Sequence, residues 1–469
     1  MTHLDMTSAT ARSGAAAITA RLDRLPATRH IWTLVVLLSV GGCFELYDLL
    51  MTAYVSPGLI RAGIFQAGSK GFLGLSDQAA FASITFAGLF VATMGLGHVA
   101  DRYGRRTIFT VSLLWYSIAT LVMATRNTAL GIDAWRFIAA VGVGVELVTI
   151  DTYVAELVPK RMRGRAFIVN QMIQFCAIPL AALMGLIFAP RDPFGIAGWR
   201  FIAGFAGVAA VLVWWIRRAV PESPRWLAQQ GRNEEADRIT AAIEARVAAD
   251  AHAVLPPPEP GAPEVPGGGT LAEIFRPPYR KRTYMLIVFN LCQAVGYYGF
   301  NNWVPALLAA QGATFNKSLV YSFIIALASP TVPLLFYGFA DRTERKWQLV
   351  GAATAISVFG GLFALSTSAV WLILCGIGLT TSNNLMSYSF HAYQPELYPT
   401  RMRARAVGFV YSFSRLSTIF SSFIIAYCLA HFGAGGVFAF IGAAMLGVVV
   451  SIGVFGPRTR GLALEEISH

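Results

Sequence analysis

Charge is scarce in this 469-residue chain: Asp, Glu, Lys and Arg make up only 13% of it, about half of what a soluble domain carries. That shortage excludes an ordinary water-soluble globule. Cysteine is also sparse. The five present (Cys43, Cys176, Cys292, Cys375 and Cys428) all sit inside apolar runs and form no Cys-x-x-Cys pair, which excludes a disulfide framework and a zinc site. Residues 1–29 lack a short apolar core followed by a cleavage site, so they read as a tail and not as a removed signal. No phosphate-binding loop follows a strand; the G-V-G at Gly142–Gly144 fits close helix packing better than a nucleotide fingerprint. No nucleophile, base and orienting residue occur in a catalytic pattern, so an enzyme is not expected.

What the chain has in abundance is apolar length. Hydrophobic residues make up 55% of it, in runs of roughly 20 that each suffice to cross about 30 Å of hydrocarbon as a helix. The chain also repeats itself. A-E-L-V-P-K-R-M-R-G-R-A at residues 155–166 is echoed by P-E-L-Y-P-T-R-M-R-A-R-A at 395–406, and the offset is 396 − 156 = 240. The same offset carries A-D-R at 100–102 onto A-D-R at 340–342, since 341 − 101 = 240. Two landmarks with one spacing indicate internal duplication. The expected fold is therefore an all-α membrane protein with twelve transmembrane helices in two six-helix bundles.

The first bundle is expected over 31–218, with spans near 31–59, 79–99, 107–125, 131–157, 166–189 and 199–217. The second is expected over 282–456, with spans near 283–309, 318–339, 348–367, 369–395, 406–430 and 435–455. Tails occupy 1–30 and 457–469, and a central segment with short helices and a Pro/Gly linker occupies 219–281. Lys and Arg crowd one set of loops, including Arg102, Arg105, Arg106, Lys160, Arg161, Arg163 and Arg165, with Arg342, Arg345, Arg401, Arg403 and Arg405 in the second half. The excess of positive charge on one side predicts that side to be cytoplasmic, with both termini there. The net charge of +12 thereby finds its place at the membrane, and a nucleic-acid partner is not expected.

With these residues in view, G-H-V-A-D-R-Y-G-R-R at 97–106 resembles the loop 2–3 signature of the major facilitator superfamily. A-E-L-V-P-K-R-M-R-G-R, P-E-S-P-R-W-L at 221–227 and P-E-L-Y-P-T-R resemble its sugar-porter and metabolite–proton symporter branch. R-L-D-R-L-P at 21–26 and F-E-L-Y-D-L at 44–49 are similar to the metabolite side of that branch, which includes nicotinate and aromatic-acid carriers.

Ionisable residues at bilayer depth cost about 2.5–3.5 kcal/mol each on insertion scales and so call for a function. Glu45 and Asp48 in the first span are spaced i, i+3 on one helical face, and Arg136 lies in the fourth. The resemblance implies pairing of Asp48 with Arg136, in which Asp48 binds the coupled proton and Arg136 sets its affinity; Glu45 is the alternative titrating group, and the residues alone leave that choice open. Arg415 lies ten residues into span eleven, counted from Arg405, about 15 Å deep at 1.5 Å per residue. No acidic residue lies within a turn of it, and a guanidinium suits a carboxylate because its forked donors meet both oxygens. Further candidates for lining a substrate site are Gln171, Gln174, Tyr297, Tyr298, Asn301, Asn302, Asn383 and His391. Gly296 and Gly299 are expected to allow unwinding of span seven. His391 stands where sugar porters carry a substrate-stacking tryptophan, and span seven lacks their glutamine pair, which favours an organic acid over a hexose. Asp101, Arg105, Glu156, Arg163 and Glu222, with Asp341, Glu396 and Arg405, form a predicted cytoplasmic gate whose charges, by resemblance, tie the bundles together when the carrier faces outward.

The expectation is a proton-coupled symporter of a small organic acid, possessing no cofactor, monomeric and resident in the cytoplasmic (inner) membrane. A sugar or polyol symporter, a proton-driven efflux antiporter, and a transport-like receptor or channel are the competing readings.

Overall fold

The chain is described by a computed structural model over residues 16–66, 76–95, 102–208, 219–252, 254–258, 271–340, 343–399 and 402–459. Helix is the only extended regular structure among them. Inside hydrocarbon that is a necessity, because backbone N–H and C=O groups find no water and must pair within their own segment.

In the first half, span one is Arg29–Leu50 continued by Thr52–Arg61, and spans two to four are Asp77–Gly95, Arg105–Ala124 and Ala129–Leu157. Span five is Arg163–Phe175 with Ala177–Phe188, and span six opens with Gly198–Phe205. In the second half, span seven is Arg280–Asn301 followed by Val304–Ala310, and span eight is Phe315–Ala326 with Val332–Ala340. Spans nine and ten are Arg345–Leu365 and Ala369–Glu396. Spans eleven and twelve share the continuous stretch Arg403–Phe455, folded back at Gly433 (φ 63°, ψ −161°). Only glycine tolerates that conformation without strain.

Eight of these helices are long and apolar enough to cross a membrane by length and composition, the last of them covering both eleven and twelve. Span seven carries Asn290, Gln293, Asn301 and Asn302 among its buried residues, so it brings polar groups inward. Elsewhere the apolar surface points outward: Val111, Trp115, Ile118 and Leu121 form an exposed stripe along span three, as a lipid-facing helix requires.

Glycine sets the closest approaches in the first half. A Cβ on Gly88 would lie 2.7 Å from the Ala140 Cβ, one on Gly144 2.7 Å from the Ala92 Cβ, and one on Gly142 2.8 Å from the Trp115 ring. The G-V-G of span four is therefore a packing motif that draws spans two and three against it. Span seven departs from expectation. Gly296 and Gly299 lie inside unbroken helix, where added Cβ atoms would meet Met445 at 2.8 Å and Ile425 at 2.9 Å. They serve packing against spans eleven and twelve. The break falls later, at Asn302–Trp303 ahead of Pro305, because proline favours a helix start and withholds a donor from the preceding turn.

At the Arg-rich end, Arg105 Nη2 lies 3.2 Å from Glu156 Oε1, and Arg345 pairs with Glu396. Both partners of the first pair map onto the second by the 240-residue offset (345 − 105 and 396 − 156). Glu222 Oε1 accepts from the backbone N–H of Arg105 at 2.9 Å and of Arg106 at 3.0 Å, and Arg163 lies 3.6 Å from Asp23. The Arg105–Glu156 pair joins spans three and four of the first half, and the Arg345–Glu396 pair joins spans nine and ten of the second half. Asp101 and Asp341 lie outside the described residues, and Arg405 is an exposed residue at the start of span eleven. The central helix Asn233–Ala251 packs under the first half, held to a short helix at 16–23. Arg21 bonds Glu244 at 2.7 Å and Asp237 at 2.7 Å, and Arg24 bonds Glu244 at 2.6 Å.

Candidate functional site

A cavity of about 90 Å³ lies where the halves meet. The first half supplies Glu45 from span one, Ile150 from span four, and Gln171 and Gln174 from span five. The second supplies Gln293, Tyr297 and Tyr298 from span seven, Ser387 and His391 from span ten, and Tyr411 and Arg415 from span eleven. Six of the nine predicted lining residues therefore converge: Arg415, Gln171, Gln174, Tyr297, Tyr298 and His391. On the Arg-poor side, the halves close over a void of about 10 Å³ between Tyr54 and Ile178 of one and Asn301, Ser322 and Thr380 of the other.

Arg415 is 1% exposed. Its Nη2 donates to the Tyr411 hydroxyl at 3.1 Å, its Nη1 donates to the Tyr298 hydroxyl, and its Nε has no partner. Both rings also lie against the guanidinium, with centroids 4.9 Å (Tyr411) and 5.5 Å (Tyr298) away. No carboxylate approaches it within ion-pair distance among the described residues. Phenols and ring faces stabilise the cation only in part, so this buried charge remains short of a counter-ion. His391 is oriented by Nδ1, 2.7 Å from the Ser387 carbonyl, and stacks on Phe390 at 4.2 Å. The wall around Arg415 is consequently aromatic on several sides.

Asp48 and Arg136 form a different kind of arrangement. Arg136 Nη1 donates to Asp48 Oδ2 at 2.7 Å, and both side chains are 0% exposed. Thr120 donates to Asp48 Oδ1 at 2.8 Å. Arg136 Nη2 reaches the Asp48 carbonyl at 2.7 Å, and Nε reaches Thr85 at 2.9 Å. Both charged groups are fully engaged, and neither lines the cavity. Glu45, one turn earlier, does line it.

Three expected lining residues are elsewhere. Asn301 donates to the Tyr297 carbonyl at 2.9 Å and borders the small void. Asn302 sits in the break of span seven, and Asn383 is 0% exposed with both side-chain polar atoms unpartnered. The i, i+4 spacing that placed Tyr297 with Asn301 holds, but the four-residue rise, about 6 Å at 1.5 Å per residue, carries Asn301 past the cavity to the small void. Gln293 and Tyr411 line it without having been singled out; each lies four residues from an identified partner, Tyr297 and Arg415, and that helical spacing was the signal available. Glu146 was also missed. It is 0% exposed, and neither of its carboxyl oxygens has a hydrogen-bond partner.

Comparison with known proteins follows the same lines. The sequence pattern of the sugar (and other) transporter family matches residues 34–469. A putative metabolite transport protein of Escherichia coli strain K12, YdjK, is 30% identical over 464 residues, covering 96% of each chain. The niacin transporter NiaP of Acinetobacter baylyi is 26% identical over 452 residues, covering 96% of this chain and 99% of that one. Among solved structures, a partially occluded inward-open form of the xylose transporter XylE from E. coli superposes with a TM-score of 0.71 at 18% identity. That match covers 92% of this chain and 99% of the other; at such identity it speaks for the fold alone.

Proposed function

The chain belongs to the sugar (and other) transporter family, as a multi-pass membrane transporter of the major facilitator fold, and from that premise we propose proton-coupled symport of a small organic acid. One observation carries the choice of substrate class. Arg415 is a fully buried cation on the cavity wall, hydrogen-bonded to phenols and in no ion pair with a carboxylate among the described residues. A substrate carboxylate supplies the missing charge and meets the forked donors of the guanidinium. The Tyr298 and Tyr411 rings lie against that charge, and Tyr297 and His391 line the same cavity, which suits a flat aromatic acid of nicotinate size. Relatives named as niacin transporters support the same reading.

Transport proceeds by rocking of the two halves about the cavity. Glu45, Asp48 and Arg136 form the coupling cluster in the first half. One proton moving with one monoanion carries no net charge, so the pH difference supplies the drive, about 1.4 kcal/mol or roughly tenfold accumulation per pH unit, without any nucleotide. The Arg-rich end, with both termini and the central helix, faces the cytoplasm of the inner membrane, and each monomer carries a complete site.

The test uses purified protein in proteoliposomes with an imposed pH gradient, acidic outside. Labelled nicotinate or benzoate is expected to accumulate, and Arg415→Lys to raise the half-saturating concentration. Acid-driven accumulation of xylose or glucose, with no movement of either carboxylate, overturns the substrate class.

A further inference from the structure

The first half holds a third carboxyl that the coupling cluster above does not use. Glu146 follows the G-V-G of span four, where Gly142 and Gly144 draw the neighbouring helices so close that added Cβ atoms would lie under 3 Å from them. The seam is tight, and Glu146 within it is 0% exposed with both oxygens unpartnered. The titratable groups that face it are Glu45 and Asp48 of span one and Tyr116 of span three. The Tyr116 hydroxyl is likewise buried and unpartnered.

Among the described residues no cation compensates it. Arg136 lies ten residues away on the same helix, about 15 Å at 1.5 Å per residue, and its guanidinium is committed to Asp48 and Thr85. Span two carries Asp77 as its one ionisable residue, at the Arg-poor end. Span five contributes Arg163 and Arg165 at the Arg-rich end and Cys176 beyond the cavity level. Span three adds only Arg105 and Arg106, which are held at the Arg-rich end near Glu156 and Glu222. The acidic groups at Glu45 and Asp48 repel a further negative charge. An ionised carboxylate buried without donors is strongly disfavoured against the neutral acid.

We infer that Glu146 is the group that stores the transported proton in this conformation, with cavity-facing Glu45 as its exchange partner. The Asp48–Arg136 pair, with every polar atom of the carboxylate engaged, is then the ionised anchor of the cluster. In the step itself the O–H bond on Glu146 breaks and an O–H bond forms on the Glu45 carboxylate. Glu146 is left as the anion and nothing is oxidised or reduced. The step requires spans one and four to shift so that the two carboxyls, or a water between them, come into contact. Rocking of the halves provides the occasion, since Glu45 borders the cavity that opens and closes.

This inference rests on the proton-coupled reading, and its test separates the two. Full-length purified protein is examined by infrared spectroscopy in H2O and D2O across neutral pH. A buried neutral carboxyl gives a C=O stretch that shifts in D2O. The band is expected in the native protein, in Glu45→Gln and in Asp48→Asn, and is expected to vanish in Glu146→Gln. A band unchanged in Glu146→Gln, or absent from the native protein, overturns the assignment. Gln matches the neutral acid in shape, so the variant is expected to melt within a few degrees of the native protein. Failure of Glu146→Gln to fold shows that the charged form is needed and also overturns it. In proteoliposomes, Glu146→Gln is expected to lose proton-driven nicotinate accumulation, and counterflow to lose its pH dependence. If the native protein moves no nicotinate at all, the transport reading fails, and the infrared result still decides where the proton sits.

Discussion

Glu45 and Arg415 border one cavity from opposite halves of the chain, the carboxyl on span one and the guanidinium on span eleven. The two halves thus present an acidic and a basic side chain to whatever occupies the space between them. A bound carboxylate satisfies Arg415 and repels an ionised Glu45, so that protonation on the first half favours anion binding on the second. The coupling is reciprocal by linkage: whatever tightens the anion also tightens the proton.

Arg415→Gln removes the cation while keeping an amide near the Tyr298 and Tyr411 hydroxyls. Hydrogen bonds to charged groups contribute about 1.5–3 kcal/mol, so the dissociation constant for nicotinate is expected to rise roughly 10- to 150-fold. Arg415→Lys should recover part of it. Isothermal titration of the purified variants measures both; equal affinities across native protein and Gln variant would contradict the anion site.

The Asp48–Arg136 pair is sealed from water, and removing one member leaves the other buried without compensation, at a typical cost of 3–5 kcal/mol. Asp48→Asn and Arg136→Gln should each lower the melting temperature markedly in detergent. The double variant should regain much of the loss, since it leaves neither charge. Asp48→Asn is further expected to abolish acid-driven accumulation. Additive losses in the double variant would show that the pair is not a unit.

Gly198 begins span six where no side chain fits: an added Cβ would lie 1.8 Å from the Phe188 carbonyl oxygen and 2.2 Å from that of Arg191. Both contacts are with backbone, which cannot swing aside. Gly198→Ala is expected to displace span six from span five and lower the melting temperature. Gly204→Ala, with open space around its Cβ, serves as the control and should melt like the native protein.

Burial alone would raise the Glu244 carboxyl, but hydrogen bonds and charge from Arg21 and Arg24 outweigh it and hold the group below its ordinary value. A carboxyl lowered on folding stabilises the docked state above its undocked pKa and loses that contribution as pH falls through the docked value. The helix at 16–23 should therefore stay docked at neutral pH and loosen in acid. Glu244→Gln should loosen it already at neutral pH. Hydrogen exchange of residues 16–25 reads both effects, and protection unaltered by acid and by the substitution would contradict the clasp.

Much of the architecture was legible in the residues. Apolar runs set the number of crossings, the 240-residue offset set the duplication, and mid-span charge singled out Asp48, Arg136 and Arg415. The neighbourhoods were less legible. Nothing in A-V-G-V-G-V-E-L distinguishes Glu146 facing a dry seam from Glu146 facing a wet cavity. That outcome depends on how closely Gly142 and Gly144 let spans two and three approach. The roles of Gly296 and Gly299 were misread for a related reason: glycine permits both unwinding and close contact, and only the presence of Met445 and Ile425 against it decides between them.

By itself the sequence determined that this chain lives in a bilayer, in two related halves, because hydrocarbon thickness fixes how long an apolar helix must be and charge avoids the interior. Only the tertiary structure decided which buried charges are paired and which are not. Asp48 found Arg136 across 88 residues of chain, while among the described residues neither Glu146 nor Arg415 forms an ion pair. Pairing depends on distances of a few ångströms between helices far apart in sequence, and local patterns along the chain do not encode those distances.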